Sequence, residues 1–265
     1  MRVAIIIPSR GLINSKTIAE ILQNAQDYDY QLYWSHANPL PVCFNLPIEE
    51  ALKDPRNTHF YIVEEDMILP PGTLKELVEA DVHCIANDYP LAGDNTNCVL
   101  YDPDGNAYFT GTGSILIKRE VLEALPKPIF YANKAWTFKI KSDHIIFNLE
   151  HNQDPDKVYG QHDLNFGLDL YRKGTPIHVA TKTCGHRKLK ARGIEGTNQG
   201  QYTFDEWTKV SLGNKAYHRF SNPTGFIEVI LDDKVTLVPQ AKAEQLIEAG
   251  LGKDRRTGHA VFNEA

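Results

Sequence analysis

The sequence is poor in the residues that staple or anchor a chain. Its four cysteines, Cys43, Cys84, Cys98 and Cys184, are scattered over 265 residues with no Cys-x-x-Cys pair, which argues against a zinc ribbon or a disulfide scaffold. No apolar run approaches the roughly 20 residues that cross a bilayer. The apolar stretch near the start, Val3-Ala4-Ile5-Ile6-Ile7, is too short for a signal-peptide core and has no small-residue cleavage site after it, so the expected location is cytoplasmic. Internal repeats are lacking too, which excludes a solenoid. Positive charge is in deficit: 28 Lys and Arg against 34 Asp and Glu give a net charge of −6. Bulk charge therefore does not favour nucleic acid, although a local basic patch can still bind it. What is present is a 42% hydrophobic, 23% charged composition, which at this length can bury a core unaided.

Val3 to Ile7 is β-branched and apolar on both faces, as in a buried parallel strand, and it stops at Pro8-Ser9-Arg10-Gly11. Asn14 or Ser15 can cap a helix carrying Ile18, Ile21, Leu22 and Ala25 at helical spacing. A strand is predicted over 31–35, and Pro47 is expected to open a short helix through Leu52. His59-Phe60-Tyr61-Ile62-Val63 reads as another buried strand, followed by a helix bearing Leu74, Leu77 and Val78 and a strand over 82–86. The resulting β-α-β-α-β-α-β order predicts a layered α/β sheet.

Further on, Asp102-Pro103-Asp104-Gly105 predicts a turn between antiparallel strands. A strand is expected over 114–117 and a helix from Arg119 to before Pro126. A loop-rich stretch follows, then a helix over 162–173 stopped by Gly174, and a strand over 177–181. Gly193, Gly196 and Gly200 predict a flexible segment. The expected division is a main domain over 1–200 and a C-terminal extension over 201–265, with strands at 226–231 and 235–238 and a helix at 241–249.

Glu64-Glu65-Asp66 stands where a buried strand meets a loop, and in open α/β sheets ligands bind at that carboxyl edge. Crowded carboxylates there suit a hard cation such as Mn²⁺ or Mg²⁺, which takes one or two carboxylates and leaves positions for phosphate oxygens. A solvated acidic loop capping the next helix is the competing reading.

The order of these segments resembles the GT-A glycosyltransferases, in particular the inverting family 2 type, over about residues 3–189. Val3 to Arg10 resembles the opening strand whose end contacts the nucleotide, which implies donor contacts for Pro8, Ser9 and Arg10. Glu64-x-Asp66 before Met67 occupies the place of the Asp-x-Asp motif, with Glu64 replacing its first acid as a ligand of the metal or of the donor's ribose, and Glu65 implied as a further donor contact. Thr110-Gly111-Thr112-Gly113-Ser114 resembles the Gly-rich approach to the acceptor site. Gln161-His162-Asp163 resembles the Glu-Asp pair that supplies the base, with His162 in place of the Glu. Gly185-His186 resembles the late metal-site histidine.

The resemblance implies a GT-A mixed sheet flanked by helices and a divalent-metal-dependent sugar transfer from a nucleotide-diphosphate sugar, UDP-linked in most members. Asp66, then His186, then Glu64 are the implied metal ligands, and Asp163 is the implied base, with simple helix capping as its alternative. Gly111, Thr112, Gly113, Trp136 and His162 are the acceptor candidates. Arg187 and Lys188 belong to a basic run, His186-Arg187-Lys188-Leu189-Lys190-Ala191-Arg192, read as a solvated loop, as a mobile lid over the donor phosphates, or as a contact to an anionic acceptor such as DNA or RNA. The expected acceptor is a saccharide or a hydroxymethylated pyrimidine in DNA. A nucleotidyltransferase of similar fold and an inactive nucleotide-sugar-binding module are the alternatives.

Overall fold

The computed structural model describes the chain except residues 12, 37, 92–97, 103, 141–143, 152–160, 194–199, 208–225, 232–233, 240–258 and 265. In order, the elements are β1 (Arg2–Ile7), α1 (Ser15–Ala25), β2 (Asp29–Trp34), α2 (Val42–Leu52), β3 (His59–Val63), β4 (Met67–Ile68), α3 (Thr73–Glu79), β5 (Cys84–Asp88), β6 (Leu100–Tyr101) and β7 (Ala107–Phe109). Then come β8 (Ser114–Lys118), α4 (Arg119–Ala124), β9 (Lys134–Ile140), β10 (His144–His151), α5 (Gln161–Arg172) and β11 (His178–Thr183). The remainder is β12 (Gly185–Gly193), β13 (Gly200–Trp207), β14 (Phe226–Leu231), β15 (Lys234–Pro239) and β16 (His259–Glu264).

A six-stranded sheet in the order β11-β5-β8-β3-β1-β2 forms the centre. β1 pairs in parallel with β2 and β3, and β11 in parallel with β5, while β8 runs antiparallel to both β3 and β5. The sheet is therefore mixed. Its strands are apolar on both faces because helices and loops cover both: Val3 to Ile7 and Phe60 to Val63 are all buried. The single reversed strand has a large consequence for function. The ends of β1, β3, β5 and β11 and the start of β8 all fall on one edge of the sheet, which gathers Pro8–Arg10, Glu64–Asp66, Gly111–Gly113 and the approach to His186.

Local chemistry sets the helix ends. Asn14 is the N-cap of α1, its side chain accepting from the Lys16 N–H at 2.9 Å. Gly72, at φ +76°, supplies the left-handed turn before α3, and Gly174, at φ +75°, ends the α5 region. Pro47 does not open its helix. α2 begins at Val42 with Pro47 inside it, because Cys43, Phe44, Ile48 and Ala51 bury a face that outweighs the missing proline N–H.

The stretch expected as loops contains the β9–β10 hairpin, paired from Ile140↔Ile145 to Lys134↔His151. Trp136, Ile145 and Phe147 of this hairpin are buried in a second apolar cluster with Tyr108, Phe109 and Leu168. The segment expected to be flexible through Gly193 and Gly200 instead has its flanks paired, β12 with β13, from His186↔Trp207 to Gly193↔Gly200. The β14–β15 pair lies where two strands were expected, and the helix expected at 241–249 falls outside the described residues. β16 pairs in parallel with β10, and Phe262 stacks on Phe147 with ring centroids 5.1 Å apart.

Candidate active site

A cavity of about 310 Å³ opens at the carboxyl edge of the sheet. Pro8, Arg10, Glu64, Glu65, Asp66, Gly111, His162, Asp163 and His186 all line it, so residues from five separate segments of the sequence meet there.

β4 is the device that completes the group. Only two residues long, it pairs antiparallel with the start of β12, setting Met67 opposite His186. The Arg187 N–H donates to the Asp66 carbonyl at 2.7 Å, and His186 Nε2 lies 3.1 Å from Asp66 Oδ2. Asp66 Oδ1 is buried and accepts no hydrogen bond from the described residues. An anionic oxygen buried without a donor is costly unless a cation or ligand meets it, and this is the feature that fits a metal ion at Asp66 and His186. Glu64 is not assembled with them: its carboxylate accepts from the Thr112 hydroxyl at 2.9 Å, and among the described residues no three His, Cys, Asp or Glu side chains form a metal-holding group. A cation here would have two protein ligands, a number suited to one that also binds substrate oxygens.

Desolvation in the cavity, then the Asp66 charge, push the Glu64 carboxyl up to about 7, with His162 and the Thr112 hydrogen bond acting the other way. Its folded value is raised above the ordinary 4.5, so the protonated form is favoured in the fold and stability falls as pH rises from about 4.5 through 7. Glu64→Gln is expected to lessen that fall by about 2 kcal/mol, read as the difference between urea unfolding at pH 5 and pH 7.5 for both proteins. Equal slopes would refute it.

Tyr89 follows β5 and packs the site together. Its hydroxyl accepts from the Gly113 N–H at 3.1 Å, and its ring stands edge-on to His186 at 5.9 Å. The ring occupies the space above Gly111 and Gly113. A Cβ on Gly111 would lie 2.0 Å from Tyr89 Oη, and one on Gly113 2.6 Å from Met67 Sδ. Gly111→Ala is accordingly expected to lose about 1–3 kcal/mol of stability. Adding Tyr89→Phe should recover part of that loss in the same denaturant assay, and strict additivity would refute the contact.

Asp163 sits in the first turn of α5, its Oδ1 accepting from the Leu164 N–H at 2.8 Å. The helix is anchored by buried Asn165, whose amide donates to the Tyr131 and Lys134 carbonyls at 3.0 and 2.7 Å. His162 lies in the cavity wall with its ring 4.8 Å from Phe44. Arg10 bonds Glu65 twice, through its backbone N–H at 3.0 Å and its guanidinium at 3.3 Å.

Of the other expected contacts, Ser9, Thr112, Gly113, Trp136 and Arg187 do not line the cavity. Ser9 is buried against Ser35, its N–H donating at 2.8 Å. Thr112 is fully buried and serves Glu64, while Gly113 is covered by Tyr89 and Met67. Trp136 is buried in the second cluster, with Arg172 5.1 Å from its ring and Phe262 edge-on at 5.6 Å, so it offers no stacking face. Arg187 is 2% exposed; its guanidinium bonds both Glu20 carboxylate oxygens, the Thr17 hydroxyl and the Met67 carbonyl. It is a clamp between β12 and α1 rather than part of a mobile lid. The Lys188 backbone pairs with Asp205, and its side chain lies outside the described residues.

No family model and no curated protein matches the chain. Among solved structures, A197 from STIV is similar at 19% identity and a TM-score of 0.47, over 70% of this chain and 85% of that one. 4-Diphosphocytidyl-2C-methyl-D-erythritol synthase from Anaerococcus prevotii follows at 10% identity and 0.32, over 68% and 87%. A glycosyltransferase involved in glycosylation of the major capsid of PBCV-1 is similar at 14% identity and 0.26, over 46% of this chain and 62% of that one. All three scores lie below 0.5.

Among the described residues, no helix is long and apolar enough to cross a membrane. The four cysteines are free and buried; burial pushes the Cys43 thiol, which lines the cavity, up to about 12, so it is no nucleophile at neutral pH.

Proposed function

We propose that the chain is a glycosyltransferase of GT-A type that moves a sugar from a nucleotide-diphosphate sugar, UDP-linked for preference, to an acceptor hydroxyl. The observation that carries the reading is the meeting of Asp66 and His186, 3.1 Å apart across 120 residues of sequence, in a cavity that Asp163 also lines. Asp66 and His186 would hold Mn²⁺ or Mg²⁺, which when bound offsets the negative charge that develops on a diphosphate leaving group.

The remaining roles fall to the chain's own groups. Asp163, oriented by the Leu164 N–H, takes the proton of the acceptor hydroxyl as it attacks, the role an inverting transfer requires. Arg10 is about half exposed beside the cavity, its guanidinium paired with Glu65, and can turn to the donor phosphates. Tyr89 and the glycines beneath it keep His186 and the start of β8 in fixed relation.

Thermal-shift measurements with a panel of nucleotide-sugars, with and without Mn²⁺, test the reading. A metal-dependent stabilisation by one donor is expected. No shift by any donor, or full turnover in excess EDTA, would overturn it, and pyrophosphate release from a sugar phosphate and a nucleoside triphosphate would replace it with nucleotidyl transfer. Asp163→Asn is expected to keep the donor shift and to slow transfer by about 10²–10⁴-fold; unchanged transfer would remove Asp163 as the base.

A further inference from the structure

We infer that the acceptor hydroxyl handled in this cavity is carried on an apolar or aromatic body rather than on a free sugar. The word acceptor rests on the transfer reading above, but the inference about ligand chemistry rests on the walls themselves. They come in two sets, which meet on α5 at the neighbours Asp163 and Leu164. The polar set, from the ends of β1 and β3 and the starts of β12 and α5, includes Arg10, Glu64, Asp66, His162, Asp163 and His186. The apolar set is Leu40, Phe44, Leu91, Phe109, Phe138 and Leu164, with the Phe109 and Phe138 rings 5.9 Å apart and tilted by 52°.

Part of the polar set is already engaged, and Asp66 Oδ1 and Asp163 suit the cation and a single hydroxyl of the proposed chemistry rather than many hydroxyls. Glu64 accepts from Thr112, Glu65 accepts from Arg10, and Asp66 meets His186. A free hexose carries hydroxyls around its whole rim, leaving only the C–H faces of its ring to suit apolar walls. Each hydroxyl turned to Phe44, Phe109, Phe138 or Leu164 would give up its water hydrogen bonds for nothing. An aromatic ring or branched alkyl group gains from the same walls, through burial and through tilted or offset contact with the two phenylalanines. Size agrees. The cavity, about 310 Å³, is about twice the roughly 150 Å³ at which a dry apolar cavity accepts benzene, enough for one ring and the carbon that bears its hydroxyl.

The test uses the full chain without donor. Benzyl alcohol, cyclohexylmethanol and glucose are titrated separately, with binding followed by saturation-transfer NMR. Benzyl alcohol and cyclohexylmethanol are expected to bind and glucose not. Phe138→Ser should weaken benzyl alcohol at least fivefold, and Leu164→Asn, on the partly exposed face of α5, serves as the second variant should the first fail to fold. Glucose binding as tightly as benzyl alcohol, or benzyl alcohol affinity unchanged in the folded variants, overturns the inference. The two readings fail separately. Absence of any nucleotide-sugar shift alongside Phe138-dependent binding of benzyl alcohol removes the transfer reading and keeps the ligand class. Efficient transfer to glucose keeps the transfer reading and overturns this one.

Discussion

Asp66→Ala is expected to lower nucleotide-sugar turnover by about a thousandfold and to erase the Mn²⁺-dependent thermal shift. The loss should come without unfolding. Residue 66 is tied into the structure by its backbone, since its carbonyl accepts from the Arg187 N–H at 2.7 Å, and that bond survives removal of the carboxylate. A second signature separates loss of the site from loss of the fold. The Asp66 charge is one of the causes holding the Glu64 carboxyl up near 7, so Glu64 should titrate lower in the variant, readable by carboxyl NMR. Wild-type turnover in Asp66→Ala would sink the proposed chemistry, and an unmoved Glu64 would deny that the two carboxylates share one cavity.

Arg187→Ala is expected to be the most damaging single change to stability, at about 3–5 kcal/mol. Its guanidinium is almost wholly buried and is the common partner of Glu20, Thr17 and the Met67 carbonyl. Glu20 also accepts from the Leu69 N–H at 2.8 Å, so the clamp binds α1, β4 and β12 together. Removing the cation strips Glu20 and the Met67 carbonyl of their shared charged donor, which is the costly way to break such a pair. Replacing both partners at once, as in Arg187→Met with Glu20→Leu, should recover part of the loss. Urea unfolding midpoints measure both; a loss under about 1 kcal/mol for Arg187→Ala would show the clamp to be idle.

Much of the central sheet was legible in the sequence because parallel strands buried on both faces must be continuous apolar runs, and Val3–Ile7 and His59–Val63 are such runs. The acidic group at 64–66 was legible for the same reason, since charge directly after a buried run marks a strand end. Arg187 was misplaced through neglect of strand geometry. Once 185–193 is extended, adjacent side chains point to opposite faces, so with His186 in the cavity Arg187 must turn toward α1. The same alternation, in Ala-Trp-Thr-Phe-Lys and in Ile-Phe-Asn-Leu-Glu, carried the signal for the β9–β10 hairpin, which composition alone made look like loop. Tyr89 left no comparable mark. Its role depends on where two glycines from another strand come to rest, which is a tertiary fact.

The span between Asp66 and His186 has a temporal side. At about 5–20 residues per second of synthesis, the ribosome needs roughly ten seconds to pass from one to the other. Through that interval the growing chain holds Asp66 without His186, and Glu20 without the Arg187 cation. The opening βαβ units can pair in the meantime, but the edge that bears the chemistry stays incomplete. On the proposed reading, an ion drawn early to Asp66 would meet it without His186, the later-made of the two proposed ligands, so a patch of negative charge would precede the finished site.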